Sequence, residues 1–366
     1  MAQYKAVIVG LTGIGASRPQ DPEGVPLYSP MPRSHAAAYH RHPQTEVVAV
    51  CDVRQEALND FRTRWADVWP NVRLYTDYKE MLRQEQPDLV SVVTPDHFHA
   101  DITVAAAEGG AKAILCEKPI ATTLADVDRM IDAAERHGAL LTIEHTRRWS
   151  PIFQKARSIA RQGELGQLRT IVCNLLSPRS MLFRNGTHMI DMMVFFAESD
   201  PLWVFAELEE GFDHFTEYKS DGGHDPKTDP AASAYIHFAN GVRAFYNSVK
   251  VAMPGSLFEL TFENGRIEVS DRGLTVVQGS SSQEWAYTPV TVGDYMVSYQ
   301  LAYLTEVINA LEKGTPLVSP AREARKTLEI MLAMLKSHEL GNVRVNLPLT
   351  GDRVSVGKNL TAEALQ

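Results

Sequence analysis

Cysteine is scarce in this chain, with three among 366 residues. Cys51, Cys116 and Cys173 are odd in number, and each ends or interrupts an apolar run such as Val47-Val48-Ala49-Val50-Cys51. That pattern predicts buried, reduced thiols, argues against a disulfide framework or a cysteine metal site, and by default places the chain in the cytoplasm. Long hydrophobic runs are missing too. None approaches the roughly 18–20 residues needed to cross a bilayer. The apolar stretch Ala6–Leu11 is too short for a signal core and lacks a cleavage site, so it reads as a strand. Nor is there an excess of positive charge. The formal net charge is -9, which speaks against nucleic acid or an anionic membrane surface as partner, since both require a basic footprint. No internal repeat or low-complexity tract is present. What remains is an ordinary globular composition, 44% hydrophobic and 22% charged, which excludes disordered and fibrous classes. At roughly 150 residues per domain the length suggests two domains or three.

The first third alternates short, mostly apolar runs (Ala6–Val9, Val47–Cys51, Leu89–Val93, Ala113–Cys116, Leu140–Ile143) with amphipathic stretches such as Asp101–Glu108 and Leu124–His137. Runs apolar on both faces fit strands buried in a parallel sheet, and the alternation predicts a doubly wound α/β domain. From about Trp149 the rhythm changes. Helices are expected at Pro151–Gln162 and Thr187–Ala197, and strands at Leu168–Leu175, Leu202–Leu208, Ala232–Phe238, Val242–Val251, Leu257–Glu263, Arg266–Ser270 and Leu274–Val277. Ala239-Asn240-Gly241 and Glu263-Asn264-Gly265 carry the Asn-Gly hairpin signal. This half reads as an α+β domain on a large, mainly antiparallel open sheet, with helices returning at Tyr299–Glu312 and Ala321–Leu340. The expected division is residues 1–147 and 148–366, with an inserted loop at about 16–32 and an excursion at 211–229.

Val7-Ile8-Val9-Gly10-Leu11-Thr12-Gly13-Ile14-Gly15 is a strand entering a glycine turn. Glycines there permit a sharp turn and let backbone N–H groups approach a pyrophosphate at a helix N-terminus. The fingerprint is imperfect, because Thr12 stands where the second glycine is usual. Asp52, followed by Val53, ends the second strand, where a carboxylate accepts hydrogen bonds from an adenosine ribose and repels a 2′-phosphate. It lies further from the turn than the usual spacing of roughly 20 residues, a difference that the proline-rich segment Ala16–Pro32 accounts for. NAD is therefore favoured over NADP, with Arg54 the residue that keeps NADP open.

Glu117-Lys118-Pro119 follows the run Ala113–Cys116 at the carboxyl edge of the expected sheet. With the glycine turn, Asp52, Thr94-Pro95 with His99, Arg148, His188 with Asp191, and Val345-Asn346-Leu347-Pro348-Leu349, it makes the chain resemble the glucose–fructose oxidoreductase, inositol dehydrogenase and MocA (Gfo/Idh/MocA) family from Tyr4 to Leu349. The resemblance implies an N-terminal Rossmann domain and a C-terminal domain whose open sheet mediates homodimers or homotetramers. It also implies a nicotinamide cofactor between the domains and a sugar, cyclitol or sugar-acid-like polyol as substrate. By the same resemblance Thr94, Pro95 and His99 line the nicotinamide side, and Glu117 supports the lysine or contacts the cofactor. Lys118 hydrogen-bonds the reacting oxygen, Pro119 follows a cis peptide, and Arg148 lies near the substrate or the domain junction.

Oxidising a carbinol needs a base for its hydroxyl proton, and histidine is poised for this near neutral pH. His188, at the start of an expected helix, is the candidate. Its family counterpart acts with an aspartate four residues earlier, a position held here by Arg184. Three readings of Arg184 stay open: a clamp for a substrate carboxylate or phosphate, a partner of some acid elsewhere, or the mark of a dismantled relay. Asp191, one turn on, either orients His188 or is a buried residue holding the helix. His97 and His99, Asp213 with His214, and His224 with Asp225 show no metal-ligand spacing, and no metal is expected. His145 is a weaker substrate candidate. The leading expectation is an NAD(P)-dependent oxidoreductase acting on CH–OH groups. The rivals are a glycosidase or epimerase of this fold that retains its NAD, and a non-catalytic regulatory protein sensing sugar or NAD.

Overall fold

The apolar runs of the first third pair side by side. β1 (Tyr4–Val9), β2 (Thr45–Cys51), β3 (Arg73–Tyr75), β4 (Leu89–Val92), β5 (Ala113–Cys116) and β6 (Leu140–Ile143) form a six-stranded sheet in the order β3-β2-β1-β4-β5-β6. Every neighbouring pair is parallel. β4 and β5 are buried at every residue, as expected of strands covered on both faces. The intervening helices are α1 (His35–Arg41), α2 (Gln55–Arg64), α3 (Tyr78–Glu85), α4 (His99–Glu108) and α5 (Leu124–His137). Side-chain oxygens of Ser34, Asp77 and Thr123 cap α1, α3 and α5 by accepting backbone N–H groups, satisfying donors that a helix start leaves open. The computed structural model describes residues 4–18, 33–220, 225–252, 255–279, 283–293 and 298–349. Most of the expected insertion, residues 19–32, lies outside them.

After α6 (Pro151–Gln162), β7 (Leu168–Leu176) and α7 (Thr187–Ala197) come β8 (Pro201–Leu208), β9 (Ala232–Phe238), β10 (Arg243–Val249), β11 (Gly255–Phe262), β12 (Gly265–Ser270), β13 (Gly273–Gly279) and β14 (Trp285–Pro289). With β15 (Val345–Asn346) these strands form a nine-stranded sheet, β14-β13-β12-β11-β7-β10-β9-β8-β15. All its pairs are antiparallel except β10 with β7. Both Asn-Gly turns close hairpins, β9–β10 and β11–β12. The helices α6 and α7, with α9 (Ala321–Glu339), bury the apolar side chains of one face. Ser337 Oγ on α9 accepts the Ala206 N–H of β8 at 2.8 Å.

The structure departs from the expected division at the late helix α8 (Tyr299–Lys313). One unit comprises Met1–Trp149 with Asp294–Ala324, the other Ser150–Gly293 with Arg325–Gln366. The chain thus returns to the first unit before ending in the second. The reason is the apolar stripe of α8. Tyr303, Leu304, Val307 and Ile308 complete the core around Tyr39 and Trp149. Tyr303 donates its hydroxyl to the Thr142 carbonyl at 2.8 Å, and Trp149 Nε1 donates to Glu306.

Candidate functional site

At the carboxyl edge of the parallel sheet the strand order reverses between β1 and β4, the position where open α/β sheets bind ligands. Gly10 adopts φ +96°, and a Cβ there would lie 2.3 Å from the Val93 carbonyl oxygen. A Cβ on Gly15 would lie 2.2 Å from the Gly10 carbonyl oxygen. Both glycines are fixed by backbone closeness. Gly13, at φ +50°, has open space instead. Thr12, Gly13 and Ile14 form the exposed crest of the turn.

The insertion turns out to leave this turn intact. Ser17 donates its N–H to Gly13, and across the insertion His35 and Ala36 donate to the carbonyls of Ile14 and Gly15 at 2.9 and 3.1 Å. With residues 18–34 removed, these are the i→i−4 bonds of one continuous helix. The bonding of the glycine turn therefore runs on into the start of α1. Ser34 Oγ closes the splice by donating to the Ser17 carbonyl at 2.6 Å. Arg18 is fixed by Asp67 and by the Trp65 ring, 5.1 Å away.

Asp52 is buried at the end of β2. Its carboxylate accepts the Leu11 N–H of the turn and the Arg54 N–H, each at 3.0 Å. The Arg54 guanidinium pairs with it at 3.2 Å from a half-exposed position. Val53 beside it is 84% exposed, an apolar side chain left at a ligand-binding edge. Thr94 follows β4, and its hydroxyl is shielded from solvent without a hydrogen-bond partner among the described residues. Pro95 is exposed. A Cβ-excluding glycine turn, a tethered carboxylate and an orphaned hydroxyl at one sheet edge fit the pyrophosphate, ribose and nicotinamide ends of a dinucleotide.

His99 is fully buried. Nε2 lies 2.9 Å from the Thr94 carbonyl, and Nδ1 lies 3.0 and 3.3 Å from the carbonyls of Pro119 and Ile120. The ring ties the loops after β4 and β5 together. The Lys118–Pro119 peptide is cis, and both Glu117 and Lys118 are half-buried.

Beneath them lies a cluster absent from the sequence-based expectations. His35 Nε2 stands 2.9 Å from Glu144 Oε2 and 3.5 Å from Glu117 Oε1, while Nδ1 bonds Ser91 Oγ at 2.9 Å. Burial opposes charging His35, but the carboxylates of Glu144 and Glu117 overcome it and push the imidazole up to about 10. Burial likewise disfavours the Glu117 anion, yet His35 and Lys118 hold its carboxyl well below the usual range. Glu144 is raised by its burial and then by the charge of Glu117. The three donor atoms lie within 4.8 Å of one another, and among the described residues no other trio of metal-ligand types does so.

Arg148 is buried, and its guanidinium donates to the Val318 carbonyl at 2.8 Å and faces Glu323 at 3.8 Å. It holds the chain as that chain approaches α9. His145 is also buried.

In the second unit, a π-helical turn at Leu182–Gly186 carries Arg184 into α7. Buried Asp229, the last residue of the expected excursion, accepts the N–H groups of Phe183 and Arg184 at 3.0 and 3.1 Å. Tyr218 of the excursion stacks on Phe183 with ring centroids 3.8 Å apart. The excursion therefore packs onto the turn that presents Arg184. Burial depresses the neighbouring Arg179, and the Arg184 charge adds to this. His188 is half-buried in the first turn of α7. Asp191 is fully buried and accepts from Thr327 Oγ1 of α9 at 3.2 Å, a helix-holding contact. Residues 221–224, including His224, lie outside the described residues.

Two family models match consecutive parts of the chain. The first is described as the oxidoreductase family with NAD-binding Rossmann fold and covers residues 29–145. The second is the GFO/IDH/MocA C-terminal domain and covers residues 153–268. A D-apiose dehydrogenase of Paraburkholderia graminis is 36% identical over 134 residues, 37% of this chain and 34% of that protein. The chain thus spans about a third of the length of such curated relatives. A myo-inositol 2-dehydrogenase of Thermotoga maritima aligns more fully, at 24% identity over 80% of this chain and 88% of its own. Among solved structures, a levoglucosan dehydrogenase complexed with NADH and L-sorbose superposes with a TM-score of 0.77 at 18% identity, covering 96% of this chain and all (100%) of that one. By fold, by the arrangement at the sheet edge and by both family models, the chain belongs to the Gfo/Idh/MocA oxidoreductases and carries their NAD-binding Rossmann domain.

Proposed function

We propose that this chain is an NAD-dependent dehydrogenase or reductase acting on a CH–OH group of a sugar, cyclitol or sugar acid. The observation that carries the reading is Lys118, held at the carboxyl edge of β5 beside a tethered Glu117 and next to the residues that fit a dinucleotide. The bound nicotinamide supplies or accepts the hydride. The glycine turn and Asp52 bind and orient the dinucleotide, and Asp52 disfavours a 2′-phosphate. Lys118 hydrogen-bonds the substrate oxygen and stabilises the negative charge that develops there. His188 takes the hydroxyl proton onward. Arg184, presented by the turn that enters α7, contacts an anionic group of the substrate.

A screen of neutral sugars, cyclitols and sugar acids tests this, with NAD and NADP compared by absorbance at the reduced-nicotinamide band. Reduction of NAD in preference to NADP is expected, with sugar acids ahead of neutral sugars. Arg184→Ala should erase that order. Equal rates on both classes in the native protein exclude the anion contact, and turnover without net NADH formation replaces the dehydrogenase by an enzyme that retains its cofactor.

The same reading makes the chain a homodimer or homotetramer through the second sheet. The face opposite its helices carries Phe205, Phe245 and Leu257 exposed, continued by the ring contacts of Tyr235 with Trp203 at 4.8 Å and with Phe245 at 5.0 Å. Phe205, Tyr235 and Phe245 stand opposite one another across β8, β9 and β10, and an exposed apolar patch of this kind favours a second copy over water. Sedimentation velocity should show a dimer or larger species that Phe245→Asp converts to monomer. A native monomer at micromolar concentration removes this face as an interface.

A further inference from the structure

We propose that His35 and His99 are positioning residues that hold the Glu117-Lys118-Pro119 segment from two sides, each as a doubly protonated imidazolium. The geometry at His99 is the stronger half. A carbonyl oxygen only accepts hydrogen bonds, and a neutral imidazole has one N–H to give. Both ring nitrogens of His99 face carbonyls within 3.0 Å, Thr94 on one side and Pro119 on the other. The ring is fully buried, so no solvent is at hand to separate a ring lone pair from a carbonyl lone pair. Two N–H groups satisfy both contacts, and one leaves a buried repulsion. Burial and the position of His99 at the start of α4 oppose the positive charge. The Cys116 side chain, Asp96 and the Thr94 carbonyl favour it and bring the group to about 10.

At His35 the argument is charge balance. Glu144 is fully buried, and neither of its carboxylate oxygens has a hydrogen-bond partner among the described residues. Its facing cation is His35, 2.9 Å away, which also reaches Glu117. A buried carboxylate needs such a partner. The groups packed around the ring are Tyr39 on its own helix, Ser91 on β4, Glu117 and Lys118 after β5, Glu144 after β6, and Tyr303 on α8 edge-on at 6.3 Å. The Ser91 hydroxyl accepts from Nδ1 and donates to Tyr39, or the chain of bonds runs in reverse; only the first arrangement suits the imidazolium. Thus Glu117 is gripped through its side chain and Pro119 through its carbonyl, with Lys118 between them.

Both groups sit above the ordinary histidine value of 6.5 in the folded chain. Their contribution to stability is therefore complete below pH 6.5 and is lost as pH rises through about 10. Nitrogen NMR of the full chain labelled at the histidine ring tests this without any substrate. At pH 8 two rings are expected with both nitrogens at imidazolium positions, assigned by their disappearance in His35→Gln and His99→Gln. If either variant fails to fold, Ser91→Ala and Asp96→Asn assign the rings by shifting the signals of His35 and His99 respectively. A neutral ring at either position at pH 8 overturns the proposal there. So does a stoichiometric divalent metal whose removal by a chelator shifts the His35 signals.

A second arm rests on the role given above to Lys118 and uses whichever substrate the screen yields. Glu144→Gln should lower kcat about 10- to 100-fold, the scale of a misplaced reacting group, and shift the alkaline limb of the pH profile, with NADH affinity unchanged. A loss confined to NADH affinity shows that the cluster does not position Lys118. The two arms fail separately, because ring protonation is read without turnover.

Discussion

Lys118→Ala should reduce NAD-dependent oxidation of the best substrate by about 10²- to 10⁴-fold in kcat, the range for a positioned proton-transferring or charge-stabilising group, and leave NADH binding within twofold by fluorescence titration. The separation follows from where the residue stands. Lys118 is placed at the end of β5 by a strand buried at every residue, and the carboxylate of its neighbour Glu117 stands 3.5 Å from His35. In the proposed reading the dinucleotide is held by other residues, the turn Gly10–Gly15 and Asp52. Removing the ammonium therefore withdraws charge at the reacting oxygen without disturbing the turn. Lys118→Arg should rescue little, because a guanidinium keeps its proton at any working pH and is too broad for the same position. An alanine variant that retains native kcat would make Lys118 a structural residue and leave the proposed reaction without its electrophile. A variant that loses NADH binding as well would mean that the lysine holds the dinucleotide.

The parts of this arrangement that were legible in the sequence are those carried by neighbouring residues. β1, β2, β4, β5 and β6 are largely covered on both faces, so each appears as a short, mostly apolar run. β3 escaped because it is three residues long and half-exposed at the sheet edge. β14 is exposed along its whole length, so no burial pattern marks it. The polar surface helices α2 and α3 bury few side chains. The apolar stripe of α8 was readable as a helix, but periodicity says which face is buried and not which core receives it. The same limit governs the site. The glycine turn, Asp52 and Glu117-Lys118-Pro119 are each contiguous with a strand end. His35, Ser91, Glu117 and Glu144 come from four separate segments that only the strand order β1-β4-β5-β6 and the helix after β1 bring together. The sole local hint was a histidine and a glutamate at positions the apolar pattern marks as buried, where ionisable residues are rare unless paired.

Gly10→Ala and Gly15→Ala should cost more than any other single-methyl addition in the turn. At Gly10 two penalties combine: a left-handed backbone that a side chain strains, and a Cβ 2.3 Å from the Val93 carbonyl. Strain of this kind and backbone overpacking each cost roughly 1–3 kcal/mol, so about 2–6 kcal/mol together is expected. At roughly 2–4 °C per kcal/mol for a domain of this size, thermal unfolding should fall by about 4–24 °C. Gly15 has no such φ, but its Cβ would meet the Gly10 carbonyl at 2.2 Å. Relief requires the start of α1 to move away from the turn, and that motion carries off the N–H groups a pyrophosphate would meet. Gly15→Ala should therefore weaken NADH binding at least tenfold. Gly13→Ala supplies the contrast. It shares the positive φ but meets nothing within 4 Å, so about 1 kcal/mol of conformational strain is all it should show. If Gly15→Ala kept native NADH affinity and native melting while Gly13→Ala did not, the close approach of Gly10 to Gly15 would not be what shapes the turn. The dinucleotide would then have to be held by the exposed crest Thr12–Ile14 alone.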